Sequence, residues 1–384
     1  MPSSTTHAVR RGASRATEAR EAVAELAAQL DPAQAELVVF FASPVYDRAE
    51  LAAALAEHFS ATQVIGCTTA GEFGPAGYGE GTLSGFSFRR GEFSFEVGRL
   101  DALQELEIDA GTHAMQAAMD SLRGRGLQVD AQHCFGFLLV DGLSMREEAV
   151  VSSLHRPLGE IHLFGGSAGD DLDFGSTFVY VDGEFRADCA TCLLVHTELP
   201  FEVFRTQHFV ETEARMVITE ADPLNRIVTE INGEPAAREY AAQVGLEIEE
   251  LTPQIFAAHP VLVRVGGETF VRSIAKVNDD ESLSFFCAIE PGNVLTVAQG
   301  VDLVGSLQRA FDEVRGRIGE PQITIGCDCI LRSLESQRDE VREQVAEVLE
   351  RNQTVGFATY GEQFDAMHVN QTFTGVVIGA RRAA

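Results

Sequence analysis

The stretch Gly66-Cys67-Thr68-Thr69-Ala70-Gly71-Glu72 sets a thiol, two hydroxyls and a carboxylate in a glycine-bounded loop behind the apolar run "QVI". Three chemistries are open to such a loop: nucleophilic catalysis, phosphate binding, and a donor–acceptor cradle for a polar ligand. Phosphate binding fails first, because Glu72 and Phe73 stand where a phosphate loop needs lysine and a hydroxyl residue. Nucleophilic catalysis by Cys67 needs a base, and no histidine is near it in sequence. The cradle is the leading reading, with Cys67, Thr68, Thr69 and Glu72 joined by Ser167, Asp170, Asp171 and Glu362. Against it stands the bland role of acids that cap helix starts and solvate loops.

The cysteines pose a second question. Cys189 and Cys192 with Cys327 and Cys329 have the types of a zinc site. A spacing of three inside a strand sends Cys189 and Cys192 to opposite faces, so reduced, buried thiols are expected instead. Seven scattered cysteines, an odd number, also fit reduced thiols better than a disulfide framework.

Periodicity then assigns the elements that carry these residues. "ATEAREAVAELAAQL" and "YDRAELAAALAEHF" read as helices, and "ELVVFFAS" and "QVIGC" as buried strands. "GTLSGFSF" and "EFSFEVGRL" alternate with period two and are expected to form a hairpin around Arg90 and Gly91. The same order recurs in "GTHAMQAAMDSLRGRG", "CFGFLLVDGL", "REEAVVSSLHRPL" and "IHLFGG", followed by a strand pair turning at Asp182-Gly183. Ile65-Gly66-Cys67 aligns with Phe164-Gly165-Gly166, and Thr69 to Glu72 with Ser167 to Asp170 after a one-residue gap; a partial echo follows at Ile325-Gly326-Cys327. Beyond about residue 210, "HPVLVRVGGETFVRSI", "SLSFFCAI" and "NVLTVAQ" read as hairpins of an antiparallel sheet.

The expected fold is therefore α/β and α+β: a duplicated α/β N-terminal region and a mostly antiparallel α+β C-terminal region. The expected divisions are a tail and first helix over 1–30, an N-terminal domain over 31–210 and a C-terminal domain over 211–384. At 384 residues and 45% apolar content the chain can bury two or three cores. Its formal charge of −29 opposes phosphate neutralisation, so nucleic acid and anionic membranes are not expected partners. No window is long and apolar enough to span a bilayer and no signal peptide is read, which makes the cytoplasm the expected location.

"VIGCTTAGEF" with "GTLSGFSF" resembles the N-terminal half of the FIST domain, and "VTEINGEPAAREYA", "GCDCILR", "TYGEQF" and "HVNQTFTGVVIG" resemble its C-terminal half. The resemblance runs in order from about Leu37 to Gly379. It implies a non-enzymatic bacterial sensor that binds a small ligand and acts on a separate histidine kinase, diguanylate cyclase or phosphodiesterase, with a homodimer allowed. The C-terminal motifs are similar to those of nitric-oxide-sensing members, which implies haem b, with His259, His208 or His368 as axial donor. His368 departs from the usual pattern, since Val369 separates it from Asn370-Gln371-Thr372. Cys329, Arg332, Tyr360, Asn370, Gln371 and Thr372 complete the ligand-binding set, Arg332 pairing with either a ligand carboxylate or Glu362. An amino-acid or metabolite sensor without haem is the first alternative. A thiol-dependent enzyme using Cys67 or Cys329 is the second.

Overall fold

A computed structural model describes residues 8–338 and 340–381, so the first seven residues of the expected tail lie outside the described residues. The chain builds three six-stranded sheets of one design. In the first, Val9–Ser14, Leu83–Arg89, Ala35–Ala42 and Gln63–Thr68 are neighbours in that order. The second repeats the order with Phe93–Asp101, Cys189–Thr197, Cys134–Val140 and Leu163–Ser167, and the third with Phe201–Thr206, Phe373–Gly379, Pro321–Cys329 and Thr354–Thr359. In each, the last two strands named are parallel and the others antiparallel. The architecture is thus three α/β units, where the sequence reading recognised two. The third is interrupted by the antiparallel insertion Phe209–Gly300, whose strands form an eight-stranded sheet.

Each sheet is completed by a hairpin borrowed from another unit. The first unit's hairpin, Glu72–Gly74 with Gly77–Gly79, joins the third sheet beside Thr354–Thr359. The second unit's, Val179–Val181 with Glu184–Arg186, joins the first sheet beside Gln63–Thr68. The third unit's, Glu362–Phe364 with Met367–Val369, joins the second sheet beside Leu163–Ser167. Asp182 and Gly183, at φ 54° and 83°, make the expected tight turn. The hairpin expected around Arg90 and Gly91 does not form: Leu83–Arg89 pairs in the first sheet and Phe93–Asp101 in the second, so the chain there crosses between units.

The three sheets face a shared core. Val39, Phe41 and Cys67 meet Phe137 and Phe164 of the second unit and Ile325, Cys327 and Phe357 of the third. Helices cover the outer faces, Ala19–Leu30 and Arg48–His58 on the first sheet, Ala110–Gly124 and Glu147–His155 on the second, Leu303–Ile318 and Arg342–Arg351 on the third. Strands buried on both faces read as unbroken apolar runs, which is why "LVVFFA" and "CFGFLLV" lack alternation. One glycine recurs in each unit at the closest approach of the parallel strands. A Cβ on Gly66, Gly165 or Gly356 would lie 2.5, 2.2 and 1.9 Å from the carbonyl oxygens of Phe40, Leu138 and Gly326. Gly356 is accordingly the third-unit partner of Gly66; the echo at Gly326 falls on the neighbouring strand.

Candidate functional site

Register fixes which side chains correspond. Gly66 to Phe88 and Gly356 to Ile378 run without a gap, so Thr69, Glu72 and Thr82 match Thr359, Glu362 and Thr372. Their hydrogen bonds match too. Thr69 Oγ meets one Glu72 oxygen, and the other accepts from Thr82 N at 3.2 Å and from Thr82 Oγ. Thr359 Oγ lies 2.6 Å from Glu362 Oε1, while Oε2 accepts from Thr372 N at 3.1 Å and Oγ at 2.7 Å. Both carboxyls are buried, and both are pushed up to about 8 by desolvation against the hydroxyl and amide hydrogen bonds that favour charge. With the acid neutral, its O–H faces Thr69 Oγ, whose own proton reaches the Ala42 carbonyl at 3.3 Å. Glu72 and Glu362 therefore tie each exchanged hairpin to its unit of origin. Their oxygens are spent on their own chain, which leaves the cradle no acceptors at these two positions.

The second unit confirms the structural role by omission. Its residues at the three corresponding places are Ala168, Val179 and Cys189, all in the shared apolar core. Asp170, aligned with Glu72 by sequence, serves a different loop. It accepts from the amides of Phe174, Gly175 and Ser176 at 3.0, 2.7 and 2.6 Å and from Tyr360 Oη. Tyr360 stacks on Phe174 with centroids 4.7 Å apart. Asp171, beside Asp170, is half-buried.

Most of the remaining sequence candidates also bond inside the protein. Thr68 Oγ accepts from Phe178 N at 3.0 Å, and Ser167 Oγ from Gln363 Nε2 at 3.0 Å. Cys67, Cys327 and Cys329 are buried with thiols pushed well up by desolvation, the reverse of an activated nucleophile. Cys189 and Cys192 are free, and no group of metal-ligating side chains occurs among the described residues. Arg332 does not pair with Glu362, and its buried Nη2 has no hydrogen-bond partner among the described residues. Its Nε donates to Asp328 at 2.7 Å and its Nη1 to His208 Nδ1 at 3.0 Å.

His208 spends its other nitrogen as well, Nε2 facing Glu335 at 2.8 Å, and burial pushes its pKa down. His368 donates from Nε2 to the Phe286 carbonyl at 3.2 Å and accepts from Gln363 at Nδ1 at 3.3 Å. Neither histidine fits an axial role while these bonds stand. His259 is half-buried and its ring has no hydrogen-bond partner among the described residues; burial and then Arg338 hold its pKa down, so it is neutral near pH 7. Asn370 and Gln371 face the insertion: Asn370 accepts from Ser273 N at 3.4 Å, and Gln371 accepts from Ser273 Oγ at 2.9 Å and donates to the Ala257 carbonyl at 2.8 Å.

An open cleft lies elsewhere, where the first unit's hairpin meets the third unit. It has a volume of about 830 Å³ and is lined by Arg15, Thr17, Val45, Tyr78, Glu80, Thr82 and Arg342 and by Gly79 and Gly81. Arg342 lies over the Tyr78 ring at 4.8 Å and donates to Glu80 at 2.9 Å. Arg15 donates to the Ala76 carbonyl at 2.5 Å. Sequence reading missed this site, although the gapless match of Gly66–Phe88 with Gly356–Ile378 would have drawn attention to Tyr78 and Glu80.

The FIST N domain matches residues 36–234, and the FIST C domain matches 236–365. The chain belongs to the FIST family. FIST domains are signal-transduction sensor domains that bind small ligands. The border between the two matches falls inside the insertion, so the family's division cuts across the three-unit ring. No curated protein matches the chain. Among solved structures, cyanuric acid hydrolase from A. caulinodans covers 97% of this chain and 99% of its own at 10% identity, with a TM-score of 0.40, a level at which neither activity nor site transfers. No helix among the described residues is long and apolar enough to cross a membrane.

Proposed function

We propose that this FIST protein is a non-enzymatic sensor whose small polar ligand, of amino-acid or metabolite size, binds in the cleft between the first and third units. The observation that carries this reading is a contrast in access. The strand-end polar groups are buried and, Arg332 Nη2 aside, bonded internally, whereas two guanidinium groups, a carboxylate and an aromatic ring, though the guanidinium groups also bond Ala76 and Glu80, line about 830 Å³ of open space. Such a mixed lining orients a ligand carrying both charge signs. The cleft also lies on a hairpin shared by two units, so occupancy bears on their junction. The signal passes to a separate histidine kinase, diguanylate cyclase or phosphodiesterase in the cytoplasm, a homodimer being compatible with this.

Haem-based nitric oxide sensing is the second reading, and His259 is the residue that favours it. Haem would supply the gas-binding iron there, and His259 would hold it. Isothermal titration with a metabolite panel tests the first reading: a ligand bound by the protein is expected to lose at least tenfold in affinity on Arg342→Ala. Unaltered affinity in that variant overturns the cleft assignment. A Soret band that shifts with nitric oxide and disappears on His259→Ala would install the haem reading in its place.

A further inference from the structure

The cleft has a closed copy within the same molecule. Tyr78, Glu80 and Gly81 correspond to His368, Asn370 and Gln371, and Gly81 and Gln371 share a left-handed backbone at φ 69° and 48°. Ser14 and Thr206 end matching edge strands, so Arg15 corresponds to Gln207, the point at which the third unit's chain departs into the insertion. The insertion then covers the junction that remains open in the first copy. Arg272 places its guanidinium Nη1 3.1 Å from the His368 carbonyl, and Ser273 N donates to Asn370 at 3.4 Å.

Resting on the cleft being the ligand site, we propose that its ligand is a small molecule bearing a guanidinium group, held by Glu80 and the Tyr78 carbonyl. Three observations converge. The closed copy seats a guanidinium on the carbonyl that matches that of Tyr78. The neutral acceptor Asn370 is replaced in the open copy by Glu80, whose carboxylate matches a planar cation far better than an amide does. The resident Arg342 shows the geometry on this surface, one face on the Tyr78 ring and one nitrogen on Glu80. Gly81, where the closed copy has Gln371, has nothing within 4 Å of an added Cβ, so space for the occupant is kept at that position. The ligand shares Glu80 with Arg342, which bonds Oε1 and stays in place.

The test is isothermal titration of the full chain with agmatine, L-arginine, L-lysine and L-glutamate, repeated on Glu80→Gln and Gly81→Gln. The second variant installs the residue of the closed copy, at a backbone angle that Gln371 already adopts. Saturable binding is expected for a guanidino compound, at least tenfold weaker for L-lysine, reduced at least tenfold by Glu80→Gln and abolished by Gly81→Gln, with thermal melting showing both variants folded. Binding of neither guanidino compound overturns the proposal. A panel ligand without a guanidinium that is lost in Gly81→Gln also overturns it but leaves the cleft as the sensor site. A ligand retained at full affinity in Gly81→Gln removes the cleft reading itself.

Discussion

At the scale of residues, the two buried glutamates explain most about this fold and least about its ligand. Each rises from 4.5 in the unfolded chain to about 8 in the folded one, so between those values the folded state holds a proton that the unfolded state has lost. Their stabilisation is complete below about pH 4.5 and is lost as pH rises through about 8, at up to ~1.4 kcal/mol per pH unit for each carboxyl. The melting temperature is therefore expected to fall between pH 5 and pH 8, and Glu72→Gln with Glu362→Gln to flatten that fall, since an amide reproduces the neutral acid. A double variant with the wild-type slope would show that these carboxyls are charged when folded. The second unit supplies the design of a companion test: Thr69→Ala, Glu72→Val and Thr82→Cys together copy Ala168, Val179 and Cys189. Circular dichroism of this triple variant is expected to show the native fold, because an apolar triad removes the side-chain partners together and leaves only the residue 82 amide without its acceptor. Glu72→Val alone strands buried Thr69 and Thr82 groups at a cost of roughly 1–3 kcal/mol, read as a lower melting temperature than the triple variant's.

At the scale of elements, the parallel strands and the helices were legible, because buried runs such as "LVVFFA" and amphipathic repeats such as Val23, Leu26 and Leu30 announce themselves locally. The pairing of hairpins was not legible. Nothing local distinguishes a hairpin folding back on its own sheet from one lent to a neighbour, so Leu83–Arg89 and Phe93–Asp101 looked like partners. Glu72 looked like a binding residue for a related reason. A carboxylate between glycines reads as solvated until Thr82, on the next strand, is seen to close over it. Cleft residues such as Arg342 sit on a helix far away in sequence, and their meeting with Tyr78 exists only through the exchange of hairpins. The glycine at each parallel pair makes the element-scale prediction. Gly356→Ala puts a Cβ 1.9 Å from a backbone oxygen that cannot rotate away, and the loss is expected at or beyond the upper end of the ~1–3 kcal/mol typical of overpacking. A denaturant midpoint unchanged by Gly356→Ala would mean the parallel strands are further apart than described.

At the scale of the molecule, exchange makes the three units one cooperative body. The first lends to the third, the second to the first and the third to the second, so no sheet is complete without another unit. Calorimetry is expected to give a single unfolding transition for the ring, and a first unit melting separately from the other two would contradict it. The third unit was hidden in the sequence because the insertion Phe209–Gly300 parts its first strand from the rest, which split one repeated design into two apparent domain types. That insertion also accounts for the asymmetry of the junctions, since it fills the space at His368–Gln371 that stays open at Tyr78–Gly81. The proposed ligand site is the junction that the insertion leaves uncovered.

The most direct test of that claim is a crystal structure of the protein soaked with a ligand that titration has shown to bind. The account predicts ligand density between Tyr78, Glu80 and Arg342. Density at His259, or between the insertion and the third unit's hairpin, with the cleft left empty, would contradict it.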